Sequence, residues 1–302
     1  MLKFTRKMQE KIQAAMPEKE VKINIVTKNN GIKMTALQIL SKENTASCSV
    51  SPNIYMEPYY AQYDGHNMDE LVSTVMGTIA ESESEVNILE SMKYSDLKKD
   101  RIFFTVINAS KNEELLKDVP HVKWHDLAIV FRCMVSEPNE DEGLRSFLIK
   151  NPLAQYWKIS TSELMAISRE NTPKLFPWTI TSLENMLFGM SGTAEPHNLD
   201  GIDVENNNLP LYVATTGKGI NGAHVFLYSD ALAAFGAKLG KNFYIFPSSI
   251  HELILVPEEA NEDVEQYKRM VCEVNANEVL PDEILSDNVY YYDRASCEVK
   301  VA

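Results

Sequence analysis

The sequence predicts an α+β chain in which mixed or antiparallel sheets carry packed helices. Three observations lead there. Two strand-like runs, Val21–Thr27 and Ile32–Ile39, flank Lys28-Asn29-Asn30-Gly31, and Asn-Gly is the strongest short hairpin signal because both residues tolerate positive φ. Helix-start signals of the form Ser/Thr/Asn-x-x-Glu recur between apolar runs too short for long helices. Finally, Trp124-His125-Asp126-Leu127-Ala128-Ile129-Val130 echoes Ile250-His251-Glu252-Leu253-Ile254-Leu255-Val256, each after a strand and a helix. Two similar strand–helix–strand units in 101–150 and 210–257 explain the echo. Chance is the competing explanation, since strands are rich in these residue types.

The elements follow in order. Phe4, Met8, Ile12 and Ala15 fall at helical spacing, and Pro17 stops that helix. After the hairpin comes an extended run, about Cys48–Met56. Asn67-x-x-Glu70 then opens a helix with Leu71, Val75, Met76 and Ile79 inward, and the polar stretch 81–100 reads as its end and a linker. Ile102–Asn108 is a strand, Ser110-x-x-Glu113 a capping box for a short helix ending at Pro120, and Asp126–Val135 a long apolar strand. Leu144–Ile149 returns as its hairpin partner across an acidic turn. Ser160-x-x-Glu163 and Thr181-x-x-Glu184 open two helices, the first with Leu164 and Ile167 inward, and Pro173 and Pro177 force a bend between them. Residues 190–208 read as an exposed loop.

The C-terminal stretch alternates quickly. Leu211–Thr215 and Ala223–Leu227 read as strands joined by a Gly217–Gly222 turn, and Ser229-Asp230 caps a helix that Gly240 ends. Phe243–Phe246 and Glu252–Val256 are strands. Asn261 caps a helix with Val264, Tyr267, Val271 and Val274 inward, and Val289–Tyr292 and Glu298–Val301 close the chain. Residues 1–100 thus form a helix, hairpin and helix region and 101–302 an α+β region. Whether they pack as one unit stays open at this level.

Charge and cysteine usage narrow the function classes. The 29 basic and 43 acidic residues leave a net charge of −14, which argues against nucleic-acid phosphates or an anionic membrane as partner. Charges interrupt the N-terminus every few residues, so it lacks the apolar core of a signal peptide. The longest apolar run, Leu127–Val135, contains Arg132 and falls far short of the roughly 20 residues that span a bilayer. Cys48, Cys133, Cys272 and Cys297 form no CxxC pair, which fits free thiols in a cytoplasmic protein.

From about Ile102 onward the chain resembles a family of uncharacterised bacterial proteins, a domain of unknown function found in gut-dwelling Firmicutes. The stretches that carry the likeness are ELLKDVPHVKWHDLAIVFRC, ENTPKLFPWTI, LYVATTGKGINGAHVFLYSDALAAFGAKLGKNFYIFPSSIHELILVP and NEVLPDEILSDNVYYYDR, and the hairpin TKNNGIKMTAL also fits. The third is similar in layout to a second uncharacterised family of Bacillus-type proteins. The resemblance implies an α+β fold and a bacterial cytosolic setting, and it assigns no activity to any residue.

Read for chemistry, the residues give decoys and one alternative. Gly217-Lys218-Gly219-Ile220-Asn221-Gly222 is a literal GxGxxG, but a following strand would deny it the helix that holds a pyrophosphate. His121 and His125 precede a strand and read as packed or solvated, and the acidic runs Glu81–Glu85 and Glu137–Glu142 match no calcium loop. No cofactor or metal is expected. Ser249 and His251, with Asp230, are the residues around which a hydrolase or transferase of unrecognised type would be built. On a strand His251 and Glu252 point to opposite faces, and no GxSxG elbow is present.

The favoured reading is a protein-binding or regulatory module of the bacterial cytosol, with a protein rather than nucleic acid or membrane as partner. Tyrosines flanked by acids, Tyr59, Tyr60 and Tyr291, are the expected contact residues, because amphipathic aromatics anchor interfaces.

Overall fold

A computed structural model describes residues 1–41, 53–90, 99–139, 143–187, 196–199, 202, 204, 209–217, 219–247, 249–260 and 263–302. The chain divides into two compact units, Met1–Leu97 and Lys98–Ala302. The described residues hold three antiparallel sheets with helices packed on them, an α+β fold.

In the first unit, helix α1 (Leu2–Ala15) precedes strands β1 (Lys19–Thr27), β2 (Lys33–Ser41) and β3 (Asn53–Tyr55), which pair in that order. The expected hairpin forms: Thr27 pairs with Lys33, and Asn30 (φ 57°) and Gly31 (φ 71°) take the left-handed conformation the turn requires. Helix α2 (Glu57–Ala61) leads to α3 (Met68–Glu90). Phe4, Met8 and Ile12 of α1 and Met68, Leu71, Val75 and Ile79 of α3 make one core with Val21, Leu37, Ile39, Ile54 and Met56. Ala15, expected inside, is exposed. Most of the extended run expected from Cys48 lies outside the described residues.

The second unit opens with β4 (Ile102–Asn108), α4 (Glu113–Lys117), β5 (His121–Trp124), β6 (Leu127–Asn139) and β7 (Gly143–Leu148). Strand β6 is central, with β4 on one side and β5 and β7 on the other. Helices α5 (Asn151–Trp157) and α6 (Thr161–Leu175), strand β8 (Trp178–Ser182) and helix α7 (Leu183–Leu187) follow. Then come β9 (Tyr212–Thr216), α8 (Ser229–Leu239), β10 (Phe243–Phe246), β11 (Leu253–Pro257), α9 (Val264–Asn277), β12 (Tyr290–Asp293) and β13 (Glu298–Val301). The larger sheet has the order β13-β12-β10-β11-β9-β8.

The echo has a structural counterpart. β4, α4, β5 and β6 pair with β6 between β4 and β5, and β9, α8, β10 and β11 pair with β11 between β9 and β10, antiparallel throughout. The two units therefore share connectivity and strand order. His125 and His251 each lie two residues before the central strand. The copies differ in detail: α4 has five residues and α8 eleven, and His125 is left-handed (φ 54°) where His251 is not.

Several local expectations are corrected. Ala223–Leu227 is not a strand but part of a 3₁₀ helix, Gly222–Leu227. A five-residue apolar run reads equally as buried strand or buried helical turn. Ser110 caps nothing; its hydroxyl donates to Asn108 Oδ1 at 2.9 Å. Thr181 stays in β8, and Ser182 Oγ accepts the Asn185 N–H at 3.2 Å instead, a start displaced by one residue. Pro173 lies in the last turn of α6 without ending it. Ser229 and Asp230 make no cap bond to α8. Val274 is exposed, while Asn275 is buried. Asn261 and most of 190–208 lie outside the described residues, and the α9 cap is Asp263, whose side chain accepts the Glu265 N–H at 3.0 Å.

Candidate functional site

Ser249, His251 and Asp230 are placed by the β10–β11 connection and the start of α8. Ser249 is buried, forms a bridge with Ile284, and its Oγ accepts the backbone N–H of His251 at 2.9 Å. The His251 ring, about a third exposed, is engaged at both nitrogens. Nδ1 accepts the Asn221 N–H at 3.3 Å, which leaves the neutral ring's proton on Nε2, 3.5 Å from Glu283 Oε1. Asp230 accepts the Trp178 indole N–H at 3.1 Å. The three side chains thus have separate partners, and no imidazole nitrogen faces the Ser249 hydroxyl as nucleophile activation requires.

His251, its N–H fixed by Ser249 Oγ, holds the glycine turn. The His251 carbonyl accepts from Gly222 N–H at 2.9 Å and from Thr215 Oγ1 at 2.7 Å. A Cβ on Gly222 would lie 2.0 Å from that carbonyl oxygen and 2.5 Å from Thr215 Oγ1. The turn joins β9 to a 3₁₀ helix rather than to an antiparallel strand, which corrects the expected hairpin. Its third glycine serves close packing of the backbone; Lys218 lies outside the described residues.

Two polar features of the second unit went unnoticed in the sequence. The first is His224, fully buried with no hydrogen-bond partner at either ring nitrogen among the described residues. Phe176, Phe104 and Phe103 surround it, with ring centroids 5.2, 5.5 and 6.2 Å away. Desolvation lowers its pKa to about 3, so the ring is neutral. The second is Asp126, in the turn between β5 and β6. Its carboxylate accepts from Ser286 Oγ at 2.6 Å and from the Tyr290 hydroxyl. Burial first, and the carboxylate second, raise the Tyr290 pKa and keep the phenol protonated. Asn108 Nδ2 adds a bond to Leu285 O at 3.0 Å, and Asn275 Nδ2 one to Ser286 O at 2.9 Å. Asp126 therefore ties the β4–β7 sheet to β12 of the larger sheet. Among the described residues no three His, Cys, Asp or Glu side chains are grouped to hold a metal ion.

The tyrosines separate. Tyr291 is packed and used: its hydroxyl donates to Glu258 Oε1 at 3.0 Å and accepts from Asn242 Nδ2 at 2.7 Å. Tyr59 rests against the first unit's core. Tyr60 is 44% exposed, its ring 5.4 Å from that of Phe4. Helix α1, which carries Phe4, exposes Leu2, Lys3, Arg6 and Lys7. The sequence signal for this face is charge segregation. The first 40 residues hold eight basic side chains against three acidic ones, Glu10, Glu18 and Glu20, in a chain of net −14. Averaging charge over the whole chain concealed it.

Helix α1 also closes part of the sheet edge. Gln13 Oε1 accepts the Val21 N–H at 2.9 Å, Gln13 Nε2 donates to Lys19 O at 2.8 Å, and Gln9 Nε2 donates to Val21 O at 2.8 Å. Beyond Val21 the outer edge of β1 carries no such seal among the described residues.

No curated protein and no solved structure matches the chain. A family model does, over residues 1–294, and it covers both units, the α1 face and the Asp126 tie alike. The chain belongs to DUF5688, a family of unknown function.

Proposed function

We propose that this protein is a protein-binding or regulatory module of the bacterial cytosol whose contact face lies on the first unit, around Tyr60 and the outer side of α1. The observation that carries the reading is Tyr60 itself: an exposed aromatic ring propped against Phe4, on a unit whose first helix exposes Arg6, Lys3 and Lys7. Aromatic and arginine side chains together are the usual anchors of protein interfaces. Tyr59 and Tyr291 drop out as anchors because packing and hydrogen bonds already occupy them. The local excess of base over acid makes the complementary partner face acidic.

A benzophenone amino acid at position 60 tests this. It should crosslink one discrete protein on illumination. Tyr60→Ala should weaken that complex by roughly 2 kcal/mol while leaving the melting temperature unchanged. A folded Tyr60→Ala variant that binds as well as the parent rejects the reading.

A further inference from the structure

The edge of β1 has two halves. The first is sealed by Gln9 and Gln13 at Lys19 and Val21. The second, Ile23 and Ile25, has backbone groups that point away from β2. The register establishes this. Ile25 pairs with Thr35, and both Thr35 backbone groups are spent on the other side, its O accepting from Met56 N at 2.8 Å and its N–H donating to Glu57 Oε1 at 2.7 Å. Ile25–Thr35 is therefore a non-hydrogen-bonded pair, and the N–H and C=O of Ile25 face outward. Ile23, two residues earlier, does the same. Neither has a backbone partner among the described residues. The Ile25 side chain is 66% exposed.

Helix α1 flanks this open half. Leu2, Arg6, Gln9 and Gln13 are spaced four, three and four apart, which puts them on one stripe. Gln9 and Gln13 of that stripe reach the β1 edge, so Leu2 and Arg6 continue it past the point where the seal stops. Leu2 is 57% exposed. The stripe that seals the first half of the edge thus leads, through Arg6 and Leu2, toward strand groups that have no backbone partner among the described residues.

We infer that β1 accepts an acidic, extended peptide segment of another protein by strand addition at Ile23 and Ile25, in the slot beside Leu2 and Arg6. This rests on the protein-binding reading above and specifies its partner. Main-chain bonds to Ile23 and Ile25 supply affinity in this mode, and side chains on alternate positions supply choice. Apolar side chains of the segment cover Ile25 and Leu2. Carboxylates meet Arg6, whose fork geometry suits them, on a helix that also exposes Lys3 and Lys7.

The probe is an end-blocked heptapeptide alternating valine and glutamate, against its valine–lysine counterpart. With the full-length protein, the glutamate peptide should bind, should slow amide exchange at Ile23 and Ile25, and should weaken as salt rises past about 0.1 M. Ile25→Pro deletes an outward N–H that the β1–β2 ladder does not use, and should reduce binding about tenfold or more with the fold retained. Should that variant unfold, Arg6→Glu, at an exposed position, should give the same loss. Equal binding of both peptides, or unchanged binding in a folded Ile25→Pro and in Arg6→Glu, overturns the proposal. So does a concentration-dependent dimer that protects the Ile25 amide without peptide, since a second copy then occupies the edge. If crosslinking at position 60 still captures its protein while the peptide fails to bind, strand addition is wrong and the binding reading stands. If the peptide binds as described and position 60 captures nothing, strand addition and the protein-binding reading stand and the Tyr60 contact face is wrong.

Discussion

His224 carries the largest unreturned cost of any single side chain described above. Both ring nitrogens are buried without partners among the described residues, and each orphaned polar group costs about 1–3 kcal/mol. Its folded pKa of about 3 lies below the ordinary 6.5. Between those values the unfolded chain binds one more proton than the folded one, so stability falls as pH drops below about 6.5, by about 1.4 kcal/mol per pH unit. Urea melts at pH 5 and pH 7 should show this slope, and His224→Leu should flatten it. Cys133 gives a second test at this scale. Burial pushes its thiol up to about 12, while Cys272 and Cys297 are exposed. Alkylation followed by mass spectrometry should label the latter two in the native protein and leave Cys133 unmodified until denaturant is added. Cys48 lies outside the described residues. Neither feature was legible beforehand: a histidine inside the apolar run Ala223–Leu227 gives no sign of whether its nitrogens find partners.

Among the elements, the same four-residue signal had three outcomes. At Ser160 the full capping box forms, with Glu163 N–H donating to Ser160 Oγ and the Glu163 carboxylate accepting the Ser160 N–H. At Ser110 the hydroxyl bonds Asn108 instead, and at Thr181 the helix starts a residue late. The signal needs an extended N-cap backbone, which Ser160 has (ψ 162°) and which neighbouring structure decides elsewhere. Ser160→Ala should therefore cost about 1 kcal/mol in thermal or chemical melts, and Ser110→Ala less. The glycine turn teaches the same lesson. The sequence drew attention to Gly219, which is left-handed (φ 64°) with open space around a Cβ. Its replacement by alanine should cost about 1–2 kcal/mol of backbone strain. Gly222→Ala should cost clearly more, because the added methyl would overlap the His251 carbonyl and the Thr215 backbone. Comparative melts of the two variants decide it. Two short apolar runs fared better because polar residues or proline bound them closely, Arg101 before the first and Asn242 and Pro247 around the second. Ile102–Asn108 and Phe243–Phe246 fall where expected to the residue.

On the scale of the whole molecule, the α+β class could be read from the chain, since it follows from the order of short periodic runs, whereas the echo pointed to two strand–helix–strand units without the strand β5 or the strand order. The Asp126 tie could not be read from the chain. Its partners Ser286 and Tyr290 lie 160 and 164 residues away, and no local pattern links such positions. Tyr290→Phe keeps the ring and removes one donor from that carboxylate. A loss of about 1–2 kcal/mol is expected in melts. The basic first 40 residues were legible in principle, but a single net charge obscures them. The two glutamines of α1 have a further bearing on how the chain survives handling. A protease that nicked the chain after α1 would strip the seal and lay bare the full length of β1, including Val21, Ile23 and Ile25 on one row. Such a ribbon is a template for fibril growth. Limited digestion that removes residues 1–16 should convert a clear solution into thioflavin-positive aggregate, whereas the uncut protein stays dispersed.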